Sequence, residues 1–188
     1  YIRMGHARGE NDLQAVKVLF FFILPAFSQD DLQFYEKVYL YQSYAWYGFI
    51  LQDLLMYYRY AQKWVDLFEL HPAMKAVETG QYIKAMHNLV GAHFDLNNYD
   101  KFNEQLNVFE SFAESYHGTM NSNSQIQTFI YLNIARINRH FLEGTFTEGL
   151  GLVPMITEKL QQYHLQLDRH RILVFYYKIA CLYFGSGN

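Results

Sequence analysis

The chain has 188 residues, of which 51% are hydrophobic, 19% aromatic and 18% charged, with only 3 prolines and 11 glycines. This composition excludes a disordered chain, a collagen-like repeat and a low-complexity linker. The formal net charge is −3, and the sequence has no basic stripe that would neutralise phosphates, so we expect no nucleic-acid partner.

Helical periodicity dominates the chain, because apolar residues recur every three or four positions and no comparable stretch alternates as a strand does. Capping and helix-breaking residues divide this pattern, notably Pro25, Ser28–Asp31, Pro72, Gly80 and Gly144. In chain order we predict about eight helices, at 12–24, 30–51, 54–70, 81–95, 99–116, 124–142, 146–162 and 169–184, with a short turn at 72–78. The short connections predict an all-α fold of antiparallel helix hairpins.

The second helices of these hairpins begin at a regular interval. Leu13, Leu54, Tyr99 and Phe146 are separated by 41, 45 and 47 residues. Apolar residues stand three, seven and ten positions after most of these starts, with Gly149 as the weakest member. We therefore predict a single domain of stacked units, cut from a longer protein, with boundaries near 1–27, 28–71, 72–118 and 119–164 and a partial unit at 165–188.

These helix pairs resemble the tetratricopeptide-repeat superfamily, in which a small residue of the first helix lets the second pack closely. Ala45, Ala135 and Ala180 resemble that small residue, and residues 175–188 resemble a first helix running into a glycine-rich turn. The interval exceeds the usual repeat of about 34 residues, which makes the chain similar to divergent bacterial relatives with longer helices. The resemblance implies a right-handed α-α superhelix whose first helices line a concave surface for a peptide or partner protein.

The resemblance also assigns residues to that concave surface. They lie on two first helices and are Lys84, His87 and Asn88 on one, and Leu132, Asn133, Arg136 and Arg139 on the other. Arg136 and Arg139 are three residues apart and share a helix face, so their guanidinium groups are candidates to hold a carboxylate of the partner. The alternative is that both are solvated or pair with Glu143 and Glu148.

Aromatic residues crowd the helix predicted at 30–51. They are Tyr35, Tyr39, Tyr41, Tyr44, Trp46, Tyr47 and Phe49. Core packing accounts for such a stripe, and a partly exposed aromatic groove is the alternative, because Tyr and Trp are enriched at binding hot spots. We include Trp46 among the candidate contacts.

Catalytic and metal-binding patterns are missing from the sequence. His87 and His93 are six residues apart, as are His164 and His170, whereas ligands on one helix face need a spacing of three or four. The single cysteine, Cys181, lies in an apolar stretch, which favours a buried inert thiol and suits a reducing compartment. We therefore predict no catalytic residue, no metal, no cofactor and a cytoplasmic location.

The sequence thus predicts a non-catalytic scaffold segment that binds a protein or peptide. Two alternatives stay open: a peptide-sensing regulatory domain of a larger signalling or transcription protein, and a helical enzyme or metal-binding protein without a familiar motif. The longest apolar run, residues 18–27, is shorter than the roughly 20 residues of a membrane-spanning helix, so we expect no membrane partner. An open repeat end exposes apolar surface, which predicts self-association.

Overall fold

The computed structural model describes Gln14, Lys17, Val18, Phe20 and residues 31–187. These residues form helices and turns with no strand among them, which confirms the all-α prediction. Most of the helix predicted at 12–24, with the signals at Pro25 and Ser28, lies outside the described residues. The chain divides into two compact units, Tyr1–Val77 and Glu78–Asn188, and the prediction of a single repeat domain stays a prediction.

Within residues 31–77 of the first unit, the structure describes one helix pair. Its helices are α1 (Phe34–Leu51) and α2 (Leu54–Leu70), and the single-turn α3 (Met74–Val77) follows them. α1 and α2 pack on each other, and one core cluster is formed by Phe20, Leu40, Tyr44 and Tyr47. The ring of Phe20 stacks on Tyr47 with centroids 4.2 Å apart, so aromatic packing takes up part of the tyrosine-rich face of α1.

The start of α1 differs from the prediction. The helix begins at Phe34 rather than at residue 30. The backbone N–H of Gln33 donates to the Glu36 carboxylate at 2.7 Å, which satisfies a donor that a helix start otherwise leaves free. The carboxylate of Glu36, the third residue of the helix, therefore marks this boundary.

The second unit contains the remaining helices. They are α4 (Thr79–Asp95), α5 (Tyr99–Tyr116), α6 (Ser122–Glu143), α7 (Phe146–Gly149), α8 (Val153–Gln162) and α9 (Arg169–Gly185). α4 packs against α5 and α6, and α9 packs against α6 and α7. Fully buried side chains such as Ile137, Ile156, Phe175 and Leu182 form part of the core between them.

The helix predicted at 146–162 is interrupted. Leu150–Leu152 is a 3-10 turn, and α8 then begins with Pro154 in its first turn. Proline lacks an N–H and is tolerated at a helix start but not in a helix interior, so a new helix begins here. Gly149 lies so close to Leu182 that an added Cβ would be 2.7 Å from its Cδ2, which explains the missing side chain at this repeat position.

The same turn follows α1, α4 and α6. Each turn contains one left-handed residue: Gln52 (φ 57°), Asn97 (φ 52°) and Gly144 (φ 68°), at intervals of 45 and 47 residues. The N–H of the next residue donates to the carbonyl five positions earlier, at 2.9, 2.9 and 3.0 Å, as in a Schellman motif. After α9, Gly187 takes the same left-handed conformation (φ 79°).

The small residues carried over from the resemblance have different surroundings. Ala45 and Ala135 are buried, whereas Ala180 is exposed. In α1 the tightest approach belongs to Gly48, where an added Cβ would lie 2.6 Å from the backbone nitrogen of Tyr57. Close packing of α1 and α2 therefore depends on Gly48, one turn after Ala45.

Candidate functional site

The second unit has a groove of about 450 Å³, which we call the α6 groove. Its walls come from α5, α6 and α8, and its volume is within the range of about 300–1,000 Å³ that ligand sites occupy. The apolar lining is formed by Ala113, Met120, Phe129, Leu132, Met155 and Tyr163. The charged lining is formed by Glu110, Glu114, Arg136 and Lys159.

The α6 groove follows one side of α6. Gln125, Phe129, Leu132 and Arg136 all line it, and their spacing of three or four residues puts them on one helix face. Along this side, the polar Gln125 is followed by the apolar Phe129 and Leu132 and then by the cation Arg136. The groove therefore offers an apolar floor with charge at one end.

Arg136 forms an ion pair across the groove wall. Its Nε donates to Oε1 of Glu110 at 2.7 Å, and the two side chains are 29% and 24% exposed. A guanidinium has five N–H donors, and within the described part of the chain no partner is found for the Nη groups of Arg136. These donors are available to a carboxylate that enters the groove.

Lys159 supplies a second cation from α8. Its Nζ donates to the neutral amide oxygen of Gln162 at 2.7 Å and lies 5.6 Å from the centroid of the Tyr163 ring. Because neither partner is charged, the ammonium charge is not neutralised by an ion pair among residues 31–187. Glu114 adds a negative charge on α5, so the groove carries both signs.

A second cluster of polar groups joins α4, α6 and α9. The imidazole of His87 keeps part of its surface exposed but stacks on Tyr131, with centroids 4.0 Å apart and rings 8° from parallel. Burial lowers the pKa of His87 to about 4, and the positive charges of Arg171 and Lys178 add to that effect. His87 is therefore neutral at pH 7.

Lys178 is the half-buried cation of this cluster. Its Nζ donates to Oδ1 of Asn138 at 2.6 Å and lies 5.8 and 5.3 Å from the ring centroids of Phe94 and Phe141. Burial lowers the pKa of Lys178, although the nearby charge of Asp95 opposes the change. Asp95 is exposed, but partial desolvation raises the pKa of its carboxyl, and the charge of Lys178 opposes that change. This cluster is therefore a polar contact between packed helices.

The two arginines of the predicted site are both on α6. Arg136 lines the groove, and Arg139 follows about one turn later on the same side, as their spacing requires. Neither pairs with Glu143, which instead accepts a hydrogen bond from the Tyr99 hydroxyl at 3.0 Å. Within the described residues, no ion pair is found for Arg139.

The other predicted residues lie elsewhere. Lys84, His87 and Asn88 share one side of α4, where the Asn88 amide donates to the Lys84 carbonyl at 2.7 Å. Asn133 is buried, and its amide donates to the Phe129 carbonyl at 2.8 Å. Trp46 belongs to the first unit, half-buried against the core of that unit. Of the predicted residues, Leu132 and Arg136 line the α6 groove, and Arg139 follows on α6 just beyond its lining.

Sequence reasoning missed several residues of these sites. From the sequence alone, Glu110 looks like any solvated acid on the polar face of α5. Lys159 likewise looks like an ordinary exposed lysine of α8. Lys178 had a usable signal, because it is the single charged residue in the apolar stretch of α9. Cys181, expected to be buried, is a free and half-buried thiol.

In the part of the chain that the structure describes, no three His, Cys, Asp or Glu side chains are grouped so as to hold a metal ion. None of the helices described there combines the length and the hydropathy needed to cross a membrane. Comparisons with protein-family models, with curated proteins and with solved structures find no match for this chain.

Proposed function

We propose that the chain is a non-catalytic scaffold segment that binds a peptide or partner protein, with the α6 groove as the binding site. The observation that carries the proposal is the groove itself, an apolar floor about the size of a ligand site with cations at its edge. The groove fits a segment in which an apolar side chain is flanked by acidic residues.

The arrangement of the floor and the cations gives each part of such a segment a partner. The apolar side chain packs on Phe129, Leu132 and Met155, which removes apolar surface from water. A carboxylate on one side of it meets the Nη donors of Arg136, and Arg139 extends this positive region. Glu114 would repel an uninterrupted run of acids, so the groove favours acidic residues separated by an apolar one.

The larger architecture is part of the same proposal. The turn that recurs after α1, α4 and α6 supports a repeated helix pair, and a tetratricopeptide-like, right-handed superhelix remains our interpretation of the sequence pattern. A cytoplasmic location is likewise proposed, and the single cysteine suits it.

The test removes the two arginines. We expect Arg136→Ala with Arg139→Ala to weaken binding of a labelled acidic-apolar-acidic peptide, selected on the wild-type chain, by about tenfold or more. One hydrogen bond to a charged group contributes roughly 1.5–3 kcal/mol, which is tenfold or more in affinity. Fluorescence anisotropy measures the dissociation constant.

A matched control removes the same number of cations away from the groove. Lys101→Ala with Arg169→Ala changes two exposed residues that do not line it and should leave the affinity within about twofold. Met155→Glu keeps both arginines but places a carboxylate in the groove lining, and should also weaken the peptide. Equal affinities for all four proteins, or no acidic peptide selected by the wild-type chain, would refute the groove as the site.

A further inference from the structure

The outward face of α9 is an exposed apolar stripe, which we call the α9 face. Its members recur every three or four residues and are Leu173, Tyr176, Tyr177, Ala180, Tyr183 and Phe184. Tyr177 is 71% exposed and Phe184 87% exposed, while Phe175, Ile179 and Leu182 on the other side of α9 are buried. One side of α9 packs against the unit, whereas the other side is apolar and no described residue covers it.

The equivalent faces of α4 and α6 are covered. If the left-handed turn residues are aligned, Leu173 corresponds to Ile83 and Ile130, both of which are buried. Tyr176, which is 52% exposed, corresponds to the fully buried Met86. In α4 and α6, neighbouring helices of the unit cover these positions, so the α9 face has the character of a helix-packing surface.

The size of the α9 face matches a small protein interface. At roughly 200 Å² for a large side chain, the exposed parts of its five large residues amount to about 600 Å². That is the upper end for the largest apolar patch of a typical monomer, about 300–600 Å². Two such faces together bury up to about 1,200 Å², the lower bound of about 1,200–2,000 Å² for specific interfaces.

We propose that the α9 face binds the α9 face of a second copy of this chain, with the two helices antiparallel. Charge sets the direction, because Arg169 and Arg171 both lie in the first turn of α9, where Arg171 also pairs with Asp168 at 3.3 Å. In an antiparallel pair these cations lie beside the C-terminal carbonyls of the second copy, which carry partial negative charge. A parallel pair would place both sets of cations together.

This arrangement pairs particular residues. With the middle of the stripe at the twofold axis, Leu173 of one copy lies beside Phe184 of the second, and Tyr177 lies beside Ala180. The interface is self-complementary, as a twofold dimer requires. The α6 groove is formed by α5, α6 and α8, so the dimer does not depend on the proposed peptide site.

Light scattering over a concentration series tests the association. Between about 1 μM and 1 mM, which brackets the dissociation constants of weak protein pairs, the mass of the wild-type chain should rise from 22.4 kDa toward twice that value. Phe184→Glu should raise the dissociation constant by about tenfold or more. Leu165→Glu is the matched control, because Leu165 is as exposed as Phe184 but lies outside the α9 face, and it should dimerise as the wild type does.

Disulfide trapping tests the direction. In a Cys181→Ser background, which removes the only thiol, a mixture of Leu173→Cys and Phe184→Cys chains should form the mixed disulfide far faster than either chain alone forms its own. A parallel pair would give the reverse. A wild-type chain that stays monomeric, a Phe184→Glu chain that dimerises like the control, or cross-linking within each variant alone would overturn the proposal.

Discussion

Replacing Gly48 by alanine should lower the free energy of unfolding of the first unit by about 3 kcal/mol, the upper part of the range for overpacking. The new Cβ would lie 2.6 Å from the backbone nitrogen of Tyr57 and 3.2 Å from the carbonyl oxygen of Asp53. These main-chain atoms are bonded into the start of α2 and cannot rotate away as a side chain could. The gain in helix propensity from alanine, about 1 kcal/mol, is smaller.

Urea unfolding followed by tryptophan fluorescence measures this loss directly, because Trp46 and Trp64, the only tryptophans, both belong to the first unit. Gly151→Ala is the control substitution, since its Cβ would meet no atom within 4 Å. Its free energy of unfolding, followed by circular dichroism, should stay within about 0.5 kcal/mol of the wild-type value. Wild-type stability for Gly48→Ala would show that α1 and α2 are not packed as closely as described.

Acidification from pH 7 to pH 4 should remove about 3 kcal/mol of stability through His87. Its pKa is about 4 in the folded protein against 6.5 for an ordinary histidine. As the pH falls below 6.5, the unfolded chain takes up a proton that the folded chain does not, so unfolding becomes easier until the folded form also protonates near pH 4. A pKa difference of this size corresponds to about 3 kcal/mol.

The comparison that isolates this effect is urea unfolding of the wild type and His87→Gln at several pH values. The variant loses the stacking on Tyr131 and should be less stable at pH 7, but its stability should fall less between pH 6.5 and 4. Asp95 acts in the opposite direction, because its raised pKa favours the folded state on acidification, and the difference between the two proteins cancels its contribution.

A titration of the His87 ring by NMR provides the independent check. Arg171→Gln removes one of the positive charges that lower the pKa of His87 and should raise that pKa measurably. A wild-type pKa near 6.5, or the same pH dependence of stability with and without His87, would contradict the burial of this ring beneath Tyr131.

Most helices could be predicted because their boundaries are set by neighbouring residues. α2 and α5 occupy the predicted ranges, and in both the side chain before the first residue caps the helix: Asp53 accepts from the Met56 N–H and Asn98 from the Lys101 N–H. The misplaced start of α1 has a local cause too, since Gln33 and Glu36 form a cap without the hydroxyl that usually signals one.

The sites could not be predicted as well, because their contacts join distant residues. Arg136 pairs with Glu110 on another helix, whereas a sequence offers only near neighbours such as Glu143 as partners. His87 stacks on Tyr131 because α4 packs against α6, and the rotation of each helix about its own axis decides which side chains meet.

The turns after α1, α4 and α6 are held by main-chain hydrogen bonds, and three different residue types occupy their left-handed position. Main-chain hydrogen bonds of this kind do not depend on most side chains. The helices on either side of the turn need only keep apolar residues at their core-facing positions. A gene that arose by duplicating one hairpin could therefore mutate almost freely between its turns. After long drift, the regular interval would be the chief trace left of that common ancestor.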